Sequence, residues 1–530
     1  MAQPSKSRRF SAQGIRELCC QLAAAEKLVS GSSFIRKAAP DAGVECYWKL
    51  PDKSEWGWQA KFFLSPPGKA QWKQIDDSIS TALDKHPLLS RYIVCLPIDR
   101  PDPRVEGQSS FMSEWDKHVA KWQAWATNKG MALTFEYWGE HELFERLSME
   151  EHRGRHYFWF NRDLFSQDWF RNRVEEAVAN VGPRYTPELD VKLPIAHLFD
   201  GLRKTQELGK RVRKTIKRIQ ENVRYRPSVP AIPELDKLHS ALDRIWALLE
   251  SVSKSPSESV PWNTIIDLTR QSTNDADDCS KKLLLLSEAK KPKKNQEKTD
   301  NESERLKSLA SNYRRLSQVL PELIDFAVSS EATLTNIPAL LLAADAGRGK
   351  THLFCDVAIH RVQSDMPTVL LIGGDFNLDE PWTQIIRQLG LSCTRDEFLG
   401  ALEAAAQANG ERAVILIDAL NEGQGKQLWT KYLAGILLAI SRSPWVGISI
   451  SVRTSYEDAT IPEGLVPARL LRELHHGFAE HEYQATKTFF DFYGIQLPSI
   501  PLLVPEFQNP LFLKIFCQGL QNSGFQIRNG

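Results

Sequence analysis

Among 530 residues there are only eight cysteines, and no two of them form a C-x-x-C pair. That scatter argues against a zinc ribbon or a disulfide framework and for a reducing compartment. Long apolar runs are missing too, since none approaches the roughly 18 consecutive residues that span a bilayer. The opening MAQPSKSRRF lacks the apolar core of a signal peptide. A cytoplasmic protein with no membrane partner is the expectation. An excess of either charge is also absent. With 67 Lys and Arg against 66 Asp and Glu the net charge is +1, so any nucleic-acid partner must be met by a local patch.

What is present is enough length for about two to four domains and a first third rich in tryptophan. The densest stretch, from Asp41 to Phe63, reads DAGVECYWKLPDKSEWGWQAKFF. Period-2 alternation marks two half-buried strands, and PDKSE supplies the turn between them. If the hairpin pivots near Lys53, Val44, Cys46, Trp48 and Leu50 share an apolar face with Trp56, Trp58, Ala60 and Phe62. The opposite face carries Glu45, Tyr47, Lys49, Gln59 and Lys61, with Glu45 almost directly across from Lys61. Such a pair can be a plain cross-strand ion pair. It can also do chemistry: a carboxylate and a second oxygen ligand suit Mg²⁺, and a lysine beside them can activate water or stabilise charge on a phosphate.

GVE, the hairpin and WGWQAKFF resemble the core of an Mrr-like restriction endonuclease domain of the PD-(D/E)XK class. The resemblance implies a Mg²⁺-dependent nuclease acting on double-stranded DNA. It makes Glu45 the metal carboxylate, where the family more often has Asp, Gln59 the second metal ligand and Lys61 the catalytic lysine. It also carries over Asp41 as the acidic position just before the strand and Glu17, on SAQGIRELCCQLAAAE, as the N-terminal helical glutamate.

Beyond the hairpin, QWKQIDDSISTALDKH reads as a helix, RYIVCLPI as a buried strand, SEWDKHVAKWQAWATNKG as a helix, ALTFEYWG as a strand and HELFERL as a short helix. Alternating strands and helices imply an α/β layer fold. Most of the tryptophans at these spacings are expected in the core, although some can stack on bases. Helices with proline-marked joints follow, and RKTQELGKRVRKTIKRIQ is basic at helical spacing, either a solvated face or a guide for a phosphate backbone. Lys290–Arg305, KKPKKNQEKTDNESER, has almost no apolar residue and is expected as a flexible loop near 288–305.

From Ile337 a continuous apolar run, a small-residue loop and an amphipathic stretch, IPALLLAADAGRGKTHLFCDVAIHRV, read as the strand, loop and helix of a P-loop. Ala344 stands where the first glycine normally does, which is workable at negative φ. Lys350 is expected at the β- and γ-phosphates of ATP, Thr351 on Mg²⁺, and the backbone from Gly347 through Arg348 and Gly349 to Lys350 around the phosphates. PTVLLIGG is a second buried strand. ERAVILIDALNEG is a third ending in Asp418, expected to hold Mg²⁺, with Glu422 a turn later to orient water. VGISISV then delivers Arg453 to the sheet's carboxyl edge, as a γ-phosphate sensor or an ordinary surface arginine.

DAGRGKTHL, LIDALNE, ISVRTS and QNPLFLKIFCQGL together resemble the STAND class of signal-transduction ATPases. Joined to an Mrr-like nuclease, they resemble the antiviral STAND systems called AVAST. That resemblance implies a phage protein as trigger, recognised by sensor repeats expected outside this chain, and a homo-oligomer, such as a tetramer, that switches on the nuclease. The expected organisation is an α/β chain with a restriction-endonuclease-like mixed-sheet domain over 1–155, a helical connector over 156–325, a P-loop domain with a parallel sheet over 326–500, and the start of a helical or winged-helix region over 501–530. Two other readings stay open, an ATP-driven DNA motor with a nuclease and a non-catalytic nucleotide-dependent assembly module.

Overall fold

The computed structural model describes residues 11–37, 41–63, 65–99, 110–161, 164–221, 233–249, 252, 256–289, 297–466, 469–497 and 504–523. Two compact units emerge, one of Met1–Ser166 with Asp396–Ala408, the other of Gln167–Arg395 with Asn409–Gly530. The first unit therefore ends later than residue 155 and takes in a helix, Arg395–Asn409, from far along the chain. The expected connector is not a unit by itself.

Five strands, β1 (Ser33–Arg36), β2 (Cys46–Lys49), β3 (Glu55–Ala60), β4 (Leu89–Cys95) and β5 (Thr134–Trp138), form the first unit's sheet in the order β1-β2-β3-β4-β5. The first three are antiparallel neighbours, whereas β3, β4 and β5 run parallel. Parallel neighbours need crossovers, and helices Lys69–Lys85 and Phe111–Asn128 supply them. Their apolar stripes bury Ile75, Ile79, Trp115 and Trp122 against Val44, Tyr92 and Val94. On the other face Cys46 and Cys95 meet Cys20 and Cys19 of helix Ala12–Ala24, and burial pushes the thiols of Cys46 and Cys95 well up. Trp58, Trp122 and Trp138 are fully buried, as their spacing suggested.

The hairpin keeps the expected faces from Cys46 onward but not the expected offset, and Val44, expected beside Cys46, packs on the opposite face with Tyr92 and Val94 because the ladder is irregular at Glu45. Asp52 Oδ1 accepts from Ser54 N at 2.9 Å and Leu50 N donates to Ser54 O at 2.9 Å, closing a three-residue loop with Lys53 at φ +72°. That turn pairs Cys46 with Trp58 and Trp48 with Trp56. Glu45 N donates to Trp58 O, the carbonyl already opposite Cys46, so the ladder becomes irregular at Glu45, and Glu45 meets Gln59 through their side chains. Lys61 lies one step further on the same face.

In the second unit β6 (Ala339–Ala344), β7 (Thr368–Ile372), β8 (Ala413–Asp418), β9 (Val446–Arg453) and β10 (Leu471–Leu474) form a wholly parallel sheet ordered β10-β6-β9-β8-β7. The runs ALLLAA, TVLLI and AVILID are buried at every position, which is why they lack alternation. Ahead of β6, helices Gln206–Glu221, Pro233–Leu249, Trp262–Ala289 and Glu297–Val319 share a core that includes Leu238, Ile245, Leu283, Leu309 and Leu316. Residues 297–305, expected as loop, are helical because Leu306, Leu309, Tyr313 and Leu316 anchor the same helix and its first turns propagate from that stripe; residues 290–296 lie outside the described residues. The basic helix is partly neutralised, with Arg211 paired to Asp200 and Glu331 and Arg218 paired to Glu322. Among the described residues no helix is long and apolar enough to cross a membrane.

Candidate functional site

The hairpin gathers Glu45, Gln59, Asp41 and Lys61, together with Arg16 from helix Ala12–Ala24. Glu45 is 4 % and Gln59 2 % exposed. Gln59 Nε2 donates to Glu45 Oε1 at 2.8 Å. Arg16 lies against Glu45 Oε2 and reaches Asp41 Oδ2 at 3.0 Å, bridging the two acids. Glu45 Oε2 is taken up by the Arg16 guanidinium, whereas Gln59 Oε1 has no partner, so one buried oxygen of the pair is left unsatisfied. Unpaired buried acceptors are costly and call for an explanation. Burial raises the Glu45 carboxyl to about 7, against the pull of Arg16; Asp41 adds to the rise and Lys61 opposes it.

Glu17 does not join this group. Its carboxylate is held by Arg36 and accepts from Gln21 Nε2 at 3.0 Å, while Gln21 Nε2 also reaches Ala404 O at 2.9 Å. Arg36 is the register partner of Cys46, the residue after Glu45, so the Arg36 and Glu45 side chains leave opposite faces of the sheet. The neighbour of Glu17 on the helix, Arg16, is the residue that reaches the site. No sequence motif marks it.

Two oxygens from Glu45 and Gln59 suit a hard divalent ion that keeps several waters. Among the described residues no group of three or more His, Cys, Asp or Glu is gathered to hold a metal. An all-protein cage is therefore not what these residues build.

The second unit carries its own constellation. Ala344 is not among the positive-φ residues, so its methyl is tolerated, whereas Gly347 and Gly349 sit at φ +77° and +92°. A side chain at Gly347 would also run into Asn509 Oδ1 at 2.8 Å. Lys350 Nζ donates to Ala344 O at 2.7 Å and Asp345 O at 3.1 Å across the loop; burial lowers the Lys350 amine to about 8 despite Asp418 nearby. Thr351 Oγ1 donates to Asp418 Oδ2 at 2.6 Å, and Ser451 Oγ donates to Asp418 Oδ1 at 2.5 Å. The carboxylate that ends β8 is thus fixed from β9 and from the helix that follows the loop. Thr351 and Asp418 offer a hard cation two oxygens, the same pattern as in the hairpin.

A cavity of about 520 Å³ opens over this loop. Its polar end is made by Gly347–Thr351, Asp418, Glu422 and Arg453, and its apolar end includes Leu189, Val191, Phe478 and Ile515. Glu422 Oε1 lies 3.7 Å from Arg453 and 3.6 Å from Arg184. Lys514 Nζ donates to Pro183 O at 2.8 Å and Thr186 Oγ1 at 3.0 Å. A pocket with phosphate donors at one end and an apolar slot at the other suits a nucleotide. Gly347, Arg348, Gly349, Lys350, Thr351, Asp418, Glu422 and Arg453 all line it, whereas Ala344 does not. The sequence did not single out Arg184, Ser451, Lys514 or His475, which is 4 % exposed with its imidazole lowered to about 4 by burial and by Lys350. No family model matches this chain and no curated protein is similar enough to count as a relative.

Proposed function

We propose that this chain is a nucleotide-controlled, Mg²⁺-dependent DNA endonuclease of the antiphage kind, with Glu45, Gln59 and Lys61 as its cutting site and the Gly347–Thr351 loop with Asp418 as its ATP site. The observation that supports the nuclease half is the buried, partnerless Gln59 Oε1 beside the buried Glu45 carboxylate, on which the charge of Lys61 also acts. A hairpin set in a sheet with two further parallel strands is the scaffold that the restriction-endonuclease resemblance implies. A bound divalent ion supplies a Lewis acid and an activated water. Lys61 then offers positive charge to the phosphate oxygens, and Asp41 supports the acidic side of the site. Arg16, pressed against both acids, restrains the site until it yields.

The switch half rests on the Thr351–Asp418 contact and on the cavity above it. ATP-driven association, with a phage protein as trigger, would bring several cutting sites onto one duplex and raise their effective concentration. The test is plasmid cleavage in Mg²⁺ and ATP, with and without phage lysate. Lys61→Ala is expected to abolish cutting while ATP binding persists. Undiminished cutting by that variant would remove the hairpin from the reaction.

A further inference from the structure

A cluster beside the hairpin, Lys37, His86, Glu55 and Tyr47, plays no part in the reading above. Lys37 N donates to Glu45 O at 2.9 Å, which continues the β1–β2 register in which Arg36 faces Cys46. Lys37 is therefore the backbone neighbour of Glu45 on β1, and Glu45 in turn meets Gln59 of β3 through its side chain. The Lys37 ammonium lies 2.5 Å from His86 Nε2, and His86 Nδ1 lies 2.7 Å from Glu55 Oε2. His86 is 5 % exposed, its ring meets Tyr47 edge-on at 5.1 Å, and Lys37 Nζ stands 5.3 Å from the centre of the Tyr47 ring.

The hydrogen positions follow from chemistry. A carboxylate only accepts, so His86 gives Nδ1–H to Glu55, and its Nε2 faces the Lys37 amine. An imidazole is thus interposed between cation and anion. Had the cluster served only to clamp β1 to the helix ending at Lys85, Glu55 paired directly with Lys37 would do it and cancel the charge. The interposed ring fixes where the Lys37 amine sits and keeps it out of direct contact with Glu55. Lys37 itself is half-buried.

We propose that Lys37 is a second phosphate-contacting cation of the Glu45–Gln59 site, aimed by the His86–Glu55 pair, with the DNA backbone as its ligand. This inference rests on the nuclease reading above. Lys37 would grip a backbone phosphate from the β1 side while Lys61 serves from the end of β3; His86 is a positioning residue that touches no substrate.

The experiment uses the full chain and a fluorescein-labelled duplex of about 30 base pairs, with Ca²⁺ replacing Mg²⁺ for binding and Mg²⁺ restored for single-turnover cleavage. Lys37→Met is expected to weaken binding about tenfold and to reduce the slope of log affinity against log salt by roughly one, the signature of one lost phosphate contact. Lys37→Arg restores both. His86→Ala shifts affinity in the same direction, with KM rising more than kcat falls. A merely structural Lys37 would change the melting temperature and leave the salt slope alone, so an unchanged slope in Lys37→Met overturns the proposal whatever its stability. If the parent chain binds and cuts but Lys37→Met keeps the parent slope, only this inference falls. If the slope changes yet Lys61→Ala still cuts, the nuclease assignment falls and Lys37 stands as a DNA contact. If the parent neither binds nor cuts the duplex, both fall.

Discussion

Gln59 Nε2 donates to Glu45 Oε1 over 2.8 Å, and this bond, rather than a Glu45–Lys61 pair, joins the two strands of the tryptophan-rich hairpin. It leaves the amide oxygen of Gln59 buried without a partner. Replacing Gln59 with Glu removes the donor and sets two carboxylates together. In the absence of metal at pH 8 the variant is expected to lose about 1–3 kcal/mol of stability through the lost bond and like-charge repulsion. Added Mg²⁺ should return part of that loss by binding only the folded state. Thermal melts with and without Mg²⁺ read both effects.

The raised Glu45 carboxyl makes stability depend on pH in a defined direction. With a folded value of about 7 against an ordinary one near 4.5, the folded state holds the proton longer than the unfolded state. The contribution is fully present below pH 4.5 and is lost as pH rises through 7, amounting to about 3 kcal/mol over that window. Glu45→Gln, which mimics the protonated form, should remove this slope and melt higher than the parent at pH 8. Urea denaturation at pH 5 and pH 8 is the check. A parallel pH response in parent and variant would show that Glu45 is not the group involved.

Asp418 is held by Thr351 and Ser451, so its position depends on two strands and a helix start. Lys350→Ala should weaken ATP binding by about 3 kcal/mol, roughly 100-fold, since a charge-assisted contact to phosphate is lost. Thr351→Ala should instead narrow the gap between affinity in Mg²⁺ and affinity in EDTA. Calorimetric titration under both conditions separates the two roles.

Helix Arg395–Asn409 meets helix Arg153–Phe160 backbone to backbone, since a Cβ on Gly154 would lie 2.4 Å from Gly400 Cα. Gly154→Val is expected to destabilise the first unit by about 1–3 kcal/mol through overpacking. Hydrogen exchange should rise in Asp396–Ala408 and in Ala12–Ala24, which Gln21 ties to Ala404.

Much of this was legible in the chain itself. Buried parallel strands must be apolar throughout, so β6, β7, β8 and β9 stood out, and the residues of the cavity's polar end, Gly347–Thr351, were singled out by their position after β6. The strands β1 and β10, SFIR and LREL, did not stand out, because four residues with charged ends carry no clear period. Alternation assigned the hairpin's faces correctly from Cys46 onward but not for Val44, which lies beyond the regular ladder, and only the geometry of the Asp52–Ser54 turn fixes which residues oppose one another. Arg16, His86 and Ser451 enter their sites through folding contacts that leave no local pattern. The partner of the alanine-rich helix 395–409 is invisible for the same reason.

Crystals of the chain soaked in Mn²⁺ would test the centre of this account most directly, since Mn²⁺ takes the same oxygen ligands as Mg²⁺ and scatters anomalously. The account expects an anomalous peak within bonding distance of Glu45 Oε2 and Gln59 Oε1, with Arg16 withdrawn from the carboxylate. Full Mn²⁺ occupancy beside Thr351 and Asp418, with no peak at the hairpin and Arg16 still against Glu45, would contradict it.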